Sequence, residues 1–300
     1  MQYGIPPNPA DEPIPQQLLV LKVADQAVRD AGLQAGSNVA VLVALDTELS
    51  LHQVRARADL NWQVQQALQS HNINLNAEQT AALEHISKDA LLSSAEVNHY
   101  TSYIGNIAAS RISQLWDFNG PAFTVSAEEN SAFKALEVAQ LLLSSGDVDA
   151  VVVGAVDLAG SLESVLTRNA LAPIHNGAPK AGIDAEATGW QVGEGAGAVV
   201  LKRADAADPS QTYALIDAIA FAQEDTQVGA FPAAPTAGTI QRAAQSALTD
   251  AGISPADVGY VELHASGIER EDQAEIRALT MVYQGEAATT AAGTAKANIG

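Results

Sequence analysis

The sequence contains no cysteine among its 300 residues. This absence excludes disulfide bonds, thiolate metal ligands and every mechanism that requires a cysteine nucleophile. Positive charge is also scarce, because 15 lysines and arginines stand against 35 aspartates and glutamates and leave a net charge of −20. A protein this negative repels phosphate backbones and anionic membrane surfaces, so we expect neither nucleic acid nor a membrane as a partner.

Long apolar runs are missing as well. No run approaches the roughly 20 residues needed to cross a bilayer, and the amino terminus lacks the basic-then-apolar layout of a signal peptide. We therefore expect a cytoplasmic protein. Apolar residues still make up 47% of the chain, which is enough for one large domain or two ordinary ones with a buried core.

The apolar residues follow the spacing of an α/β protein. Two continuous apolar runs, at 39–45 and 148–156, predict strands that are covered on both faces. A polar, glutamine-rich stretch at 51–97 has a helical pattern and predicts a surface insertion. The remaining predicted elements are helices at 16–32, 105–113, 127–143 and 239–251, strands at 122–125, 198–201 and 260–264, and a further element at 214–222. Their alternation predicts a parallel sheet.

The helix predicted at 127–143 is apolar on almost every side, so we expect it to be buried all round. At its start Ser126 stands three residues before Glu129, a capping-box pattern in which Glu129 caps the helix. The glycine-rich stretch at 193–197 precedes a strand instead of joining a strand to a helix. This order argues against a nucleotide-binding loop and favours close backbone packing.

We expect no metal and no other cofactor. Five histidines show no spacing typical of metal ligands and are predicted to lie at the surface. These are His52, His71, His85, His99 and His175.

Four phrases in chain order resemble a known family. They are 105–113 with 119–122, then 193–197, then 261–264 with Asp272 and Glu275, and finally 293–300. Together they resemble the β-ketoacyl synthases of the thiolase superfamily, over the chain from about Tyr3 onwards. Within that family the sequence is most similar to the chain-length-factor domain of bacterial polyunsaturated fatty acid and polyketide synthases.

This resemblance implies a thiolase-like layered αβαβα fold. The family's opening strand would precede Gly4 and its second half would continue past Gly300, so we expect a fold truncated at both ends. The implied domains are a first thiolase-like half at 1–203, with the helical insertion at 51–97, and an incomplete second half at 204–300.

The resemblance also places three residues at catalytic positions. Glu129 stands at the nucleophile position, where active relatives have a cysteine, while His264 matches the first catalytic histidine and Lys296 the following lysine. A carboxylate cannot hold the acyl chain usefully, because the resulting mixed anhydride is a high-energy intermediate. We therefore expect no condensing activity from this chain by itself, although it resembles part of an acyltransferase system. Lys180 and Asp184 match a further family segment.

Three functions stay open at this point. The leading one is an inactive chain-length factor that pairs with an active β-ketoacyl synthase, as a dimer or pseudo-dimer through strand 122–125, and helps to shape its acyl tunnel. An acyl carrier protein is a further candidate partner. The alternatives are a malonyl-carrier-protein decarboxylase that uses His264, and a structural scaffold without a site.

Overall fold

The computed structural model describes residues 3, 13–46, 51–91, 101–178, 180, 182–224, 235–284 and 290–299. The chain divides into two compact units. The first unit comprises residues 1–131, 151–156 and 196–200, and the second comprises residues 132–150, 157–195 and 201–300.

The first unit is built around a four-stranded sheet. Strand β1 (Val39–Ala44) is buried at every residue and pairs in parallel with β2 (Ala122–Val125). The sheet has the order β2-β1-β3-β4, with β3 at Ala150–Leu158 and β4 at Glu194–Leu201. The prediction of a parallel, apolar strand at 39–45 is therefore confirmed, and β2 lies at an edge of the sheet.

Helices flank these strands in the order that the sequence predicts. Helix α1 (Pro15–Asp30) ends just before Gly32, whose backbone is left-handed with φ of +63°. The insertion forms two helices, α2 (Leu51–Ser70) and α3 (Ala77–Leu91), while its predicted end at 92–97 lies outside the described residues. Helix α4 (Gly105–Trp116) then leads into β2.

Helix α5 (Ser131–Ser145) corrects two expectations about the helix predicted at 127–143. It begins later than predicted, after a single 3₁₀ turn at Glu128–Asn130. It is also not buried all round, because Phe133 is 56% exposed and Leu141 is 65% exposed, although Ala135 and Ala139 are fully buried. A helix with apolar residues on every side is completely buried only when neighbouring elements cover all of those sides.

The second unit contains a smaller parallel sheet of β5 (Tyr260–Glu262) and β6 (Ala291–Gly293). Besides nearly all of α5, its helices include α6 (Leu162–Leu171), α7 (Ala237–Ala251), α8 (Glu269–Tyr283) and the short α9 (Lys296–Ile299). Thr236 caps α7, since its side chain accepts a hydrogen bond from the backbone N–H of Thr239. The predicted helix at 239–251 is confirmed, and the strand predicted at 260–264 ends two residues early.

Two further expectations are wrong. Residues 214–222 form no regular element, and Tyr213 just before them is 90% exposed. An extended segment becomes a strand only when a neighbour completes its hydrogen bonds, and no such neighbour occurs among the described residues. The residues of strand β4 are exposed or half-buried, and contrary to the expected close packing of the glycine-rich stretch, a Cβ added at Gly195 or Gly197 would meet nothing within 4 Å. These glycines therefore serve no close packing.

None of the helices in the described part of the chain combines the length and hydrophobicity required to cross a bilayer.

Candidate functional site

The residue predicted to stand at the nucleophile position, Glu129, follows a sharp turn after the end of β2. Glu128 has φ of +52°, in the left-handed region that non-glycine residues rarely adopt. Such a conformation costs about 1–3 kcal/mol and is often found at functional sites. The next residue, Glu129, lies in the 3₁₀ turn with its side chain exposed to solvent. The turn therefore presents the Glu129 carboxylate at the surface of the first unit.

The predicted capping box at this turn is wrong. The N-cap of the 3₁₀ turn is Ala127, which has no side chain that could cap. Ser131 organises the backbone instead, since its hydroxyl accepts a hydrogen bond from the N–H of Ala127 at 2.9 Å and donates one to the carbonyl oxygen of Glu128 at 2.6 Å. Ser131 thus binds the N–H of the N-cap residue, as the glutamate of a capping box would, while the other half of the box is not formed.

His264 and Lys296 meet at one end of the β5–β6 sheet. His264 follows β5 by two residues, and Lys296 follows β6 by three. Because parallel strands end at the same edge of a sheet, the two side chains come together, and the Nζ atom of Lys296 lies 2.9 Å from Nδ1 of His264. A lysine ammonium has only donors, so this contact requires His264 to accept at Nδ1. The structure places this pair in the second unit and Glu129 in the first.

Glu262 anchors the segment that carries Lys296, and the sequence, which marked it only as part of the phrase 261–264, assigned it no role. Its Oε1 atom accepts a hydrogen bond from the backbone N–H of Ala295 at 2.6 Å, and its Oε2 atom accepts one from the hydroxyl of Tyr260 at 2.6 Å. The hydrogen bond from Tyr260, followed by the one from Ala295, lowers the pKa of Glu262, and the charge of Lys296 contributes further. Glu262 therefore stays ionised beside Lys296.

Two carboxylates of α8 hold the loop that carries His264. Glu275 accepts the backbone N–H of His264 at 2.6 Å and that of Ala265 at 2.9 Å, one on each oxygen. Asp272 accepts a hydrogen bond from the hydroxyl of Ser266 at 3.2 Å. Burial raises the pKa of Asp272, while the hydrogen bonds from Ser266 and the backbone oppose that rise. The sequence marked both carboxylates as part of a family phrase but assigned them no role.

A second loop lies against this one within the same unit. A Cβ at Gly182 would come within 1.8 Å of the carbonyl oxygen of Ala265, so only glycine permits this approach. Lys180 of this loop forms a salt bridge with Glu186, and Oδ1 of Asp184 accepts the N–H of Glu186 at 2.8 Å. Both family-matched residues thus shape the loop itself.

His175 closes this loop and is half-buried rather than fully at the surface. Its Nδ1 atom lies 3.0 Å from the hydroxyl of Thr188, and its Nε2 atom lies 2.9 Å from the carbonyl oxygen of Ala178. Among the residues that the structure describes, no group of three histidine or carboxylate side chains could hold a metal ion.

A cavity of about 210 Å³ opens in the first unit beside the end of β2. Ser126 and Thr124 line it together with Leu45, Gln16 and Gln17. The Nε2 atom of Gln17 donates to the carbonyl oxygen of Ser102 at 2.6 Å, whereas its Oε1 atom has no hydrogen-bond partner within the described part of the chain. The cavity is therefore lined by both apolar and hydrogen-bonding groups.

Comparison with known families matches nearly the whole chain. Residues 2–207 match the family "Beta-ketoacyl synthase, N-terminal domain", and residues 213–300 match "Beta-ketoacyl synthase, C-terminal domain". A subunit of the polyunsaturated fatty acid synthase of Thraustochytrium sp. is 34% identical over 98% of this chain, and the 6-methylsalicylic acid synthase of Penicillium expansum is 32% identical over 94%. The chain spans only 14% of the length of each of these relatives.

Solved structures show the same fold. One described as "PfaC Keto synthase-Chain length factor" is 46% identical, with a TM-score of 0.84, over 97% of this chain and 30% of its own. A ketosynthase from module 6 of the bacillaene synthase of Bacillus subtilis 168 is 24% identical, with a TM-score of 0.69, over 99% of this chain and 47% of its own. The architecture is the thiolase-like fold of ketosynthases, as the sequence phrases predicted.

Proposed function

Because the chain belongs to the β-ketoacyl synthase family, we propose that it acts as a chain-length-factor-like domain that pairs with an active β-ketoacyl synthase and helps to shape the acyl tunnel. The observation that carries this proposal is Glu129, an exposed carboxylate at the position that the resemblance assigns to the family's cysteine. No cysteine elsewhere in the chain can take over the role.

The chemistry of Glu129 supports a non-condensing role. Ketosynthases transfer an acyl group from a carrier thioester to a thiolate, which exchanges one thioester for another at little cost in free energy. A carboxylate would have to form an anhydride, which is far more reactive than the thioester that supplies it. The chain therefore contributes shape and contacts to an assembly rather than a covalent intermediate.

The edge position of β2 supports pairing with another ketosynthase-like domain. One side of β2 pairs with β1, with Leu42 opposite Phe123 and Ala44 opposite Val125. The other side is an edge of the sheet. An apolar edge strand invites pairing with a further strand, and natural proteins cover such edges. We expect the active ketosynthase to cover this one.

The names of two relatives support the biosynthetic context. One is a polyunsaturated fatty acid synthase subunit, and the other is a keto synthase joined to a chain length factor. The cavity beside Ser126 opens next to the proposed pairing edge, where a domain that contributes to an acyl tunnel needs open space. We therefore place the function in polyunsaturated fatty acid or polyketide synthesis.

The test is a reconstituted synthesis with an active ketosynthase domain, a carrier protein and malonyl extender units. Product chain lengths are measured by mass spectrometry with and without the chain. We expect the chain to change the length distribution, and Glu129→Gln to retain that effect because no covalent step uses the residue. An identical distribution with and without the chain would contradict the proposal.

The contact between His264 and Lys296 favours a second candidate, decarboxylation of a malonyl carrier protein. A histidine and a lysine at one site can stabilise the enolate that loss of carbon dioxide generates. Glu129 argues against it, because negative charge at the nucleophile position disfavours a carbanion-like transition state. Conversion of malonyl to acetyl carrier protein by the chain alone, abolished in His264→Ala, would establish this candidate.

A further inference from the structure

We propose that Glu275 is a positioning residue that fills a backbone anion site at the end of β5 and thereby holds His264 beside Lys296. The inference concerns the internal geometry of the second unit. It goes beyond the chain-length-factor role and does not depend on it.

The geometry of Glu275 is that of an anion bound by a backbone nest. Its two carboxylate oxygens each accept one of two consecutive N–H groups, those of His264 and Ala265, at 2.6 and 2.9 Å. Successive N–H groups that converge in this way form a concavity that binds anions. Hydrogen bonds to an ionised acceptor are about twice as strong as those between neutral groups. Glu275 thus supplies the anion from within the chain.

The loop needs such a restraint because its backbone is strained. Ala265 has φ of +46° and is buried, with 4% of its surface exposed. A left-handed backbone is unfavourable for alanine, because the Cβ atom lies too close to the following carbonyl oxygen. The close approach of Gly182 to the carbonyl oxygen of Ala265 leaves the loop no room to relax in that direction. The two charge-assisted hydrogen bonds to Glu275 stabilise this strained backbone conformation.

A second contact from the same helix supports this interpretation. Asp272 and Glu275 are three residues apart on α8 and therefore share one face of the helix. Asp272 binds the hydroxyl of Ser266, and Glu275 binds the backbone at His264 and Ala265. Helix α8 therefore forms hydrogen bonds with three successive residues of the loop. These bonds fix the direction of the His264 side chain, because one of them is made by the backbone N–H of His264 itself.

Glu262 supports the other half of the contact in the same manner. It binds the backbone N–H of Ala295, next to Lys296, at 2.6 Å. The 2.9 Å contact between His264 and Lys296 therefore joins two segments that are each fixed by a carboxylate on a backbone N–H. Loss of either anchor should separate the pair while the strands remain.

The experiment uses the 300-residue chain and solution NMR of its amides and histidine side chains. Glu275→Gln keeps the size of the side chain but can satisfy only one of the two N–H groups, because its NH₂ group is itself a donor. We expect upfield shifts of the His264 and Ala265 amide protons, changed imidazole nitrogen shifts of His264, and loss of most of the cross-peak intensity between His264 and Lys296. Glu271→Gln is the matched control and should leave these signals unchanged, because Glu271 lies on the same helix but its side chain makes no hydrogen bond to the described residues of the loop.

Rescue by an added carboxylate distinguishes a role of Glu275 in positioning His264 from a role in stabilising helix α8. In Glu275→Ala, added acetate should occupy the vacated nest and restore the His264 signals, whereas chloride at equal ionic strength should restore them less. Failure of acetate to restore the signals in the folded variant would overturn the proposal. So would a lower melting temperature of Glu275→Gln with unchanged His264 signals.

A strain-relieving variant keeps the proposal testable if Glu275→Ala does not fold. Ala265→Gly removes the cost of the left-handed backbone, so the loop should depend less on its anchor. Glu275→Gln should then shift the His264 signals less in the Ala265→Gly background than in the parent, as measured by a double-mutant cycle. Equal shifts in both backgrounds would contradict the role of Glu275 in holding the strained loop.

Discussion

Lys296 reaches His264 across 32 residues of sequence, with 2.9 Å between Nζ and Nδ1. The contact exists because β5 and β6 are parallel neighbours, with Glu262 opposite Gly293 at their last pair. His264 and Lys296 both lie in the segments that follow these strands, at the same edge of the sheet. This edge is where α/β proteins usually place their sites.

The first prediction concerns acyl transfer. Incubation with acyl carrier thioesters should leave the intact mass of the chain unchanged, because Glu129 cannot form a stable adduct. The substitution Glu129→Cys introduces the missing thiol at this position. We expect it not to restore condensation, even when the active partner is present. Ser145→Cys, exposed at the far end of α5, controls for unspecific thiol acylation. A stable acyl adduct on the parent chain would contradict the inactive-nucleophile interpretation.

The second prediction concerns β2. Replacing Phe123 and Val125 by aspartate should dissociate the chain from its partner, because charges on the edge strand disfavour strand pairing. An obligate interface of this kind buries more than about 2,000 Å², so light scattering should show a clear loss of mass. Val199→Asp is the control, because Val199 is 48% exposed on the edge strand β4. An unchanged assembly in the double variant would rule out pairing through β2.

The third prediction compares two leucines of α5. Leu143 is 7% exposed, so Leu143→Ala should lower the free energy of unfolding by about 2–5 kcal/mol. Leu141 is 65% exposed, and Leu141→Ala should change it by less than about 0.5 kcal/mol in the isolated chain. Leu136 is half-buried and should fall between the two. Urea unfolding measures all three, and equal losses at Leu141 and Leu143 would contradict the one-sided burial of α5.

The fourth prediction is a pH dependence at the start of α7. Glu224 accepts hydrogen bonds from the hydroxyl of Thr239 and from the N–H and hydroxyl of Thr236, and these lower its pKa from 4.5 to about 2. Because the folded-state pKa is the lower one, this stabilisation is fully present above about pH 4.5 and is lost as the pH falls towards 2.

Melting temperatures of the parent and of Glu224→Gln check this directly. The parent should melt higher than the variant at about pH 6, and the difference should shrink steadily as the pH is lowered to about 2. Glu78→Gln, exposed on α3, provides a control for the replacement of a surface glutamate by glutamine. A difference that stays constant with pH would show that the carboxylate charge is not responsible.

Local sequence determined the elements and the likeness to ketosynthases. The continuous run at 39–45 could only be a covered strand, and the predicted boundaries of β2 coincide with those of the structure. The lack of cysteine followed from composition alone, and it excludes a cysteine nucleophile within these 300 residues whatever the fold. Such features are local, because they depend on residue type and on spacing along the chain.

Tertiary structure decided which faces are covered and which groups meet. The sequence of α5 is apolar on almost every side, yet only neighbouring elements determine that Ala135 is buried while Leu141 is exposed. The pattern at Ser126 and Glu129 matched a capping box, but the helix begins later and Ser131 binds the backbone N–H of Ala127 instead. The anchors Glu262 and Glu275 bind backbone N–H groups of distant segments, and a backbone N–H has no sequence signature. Those contacts arise only when strands and helices from separate parts of the chain pack together.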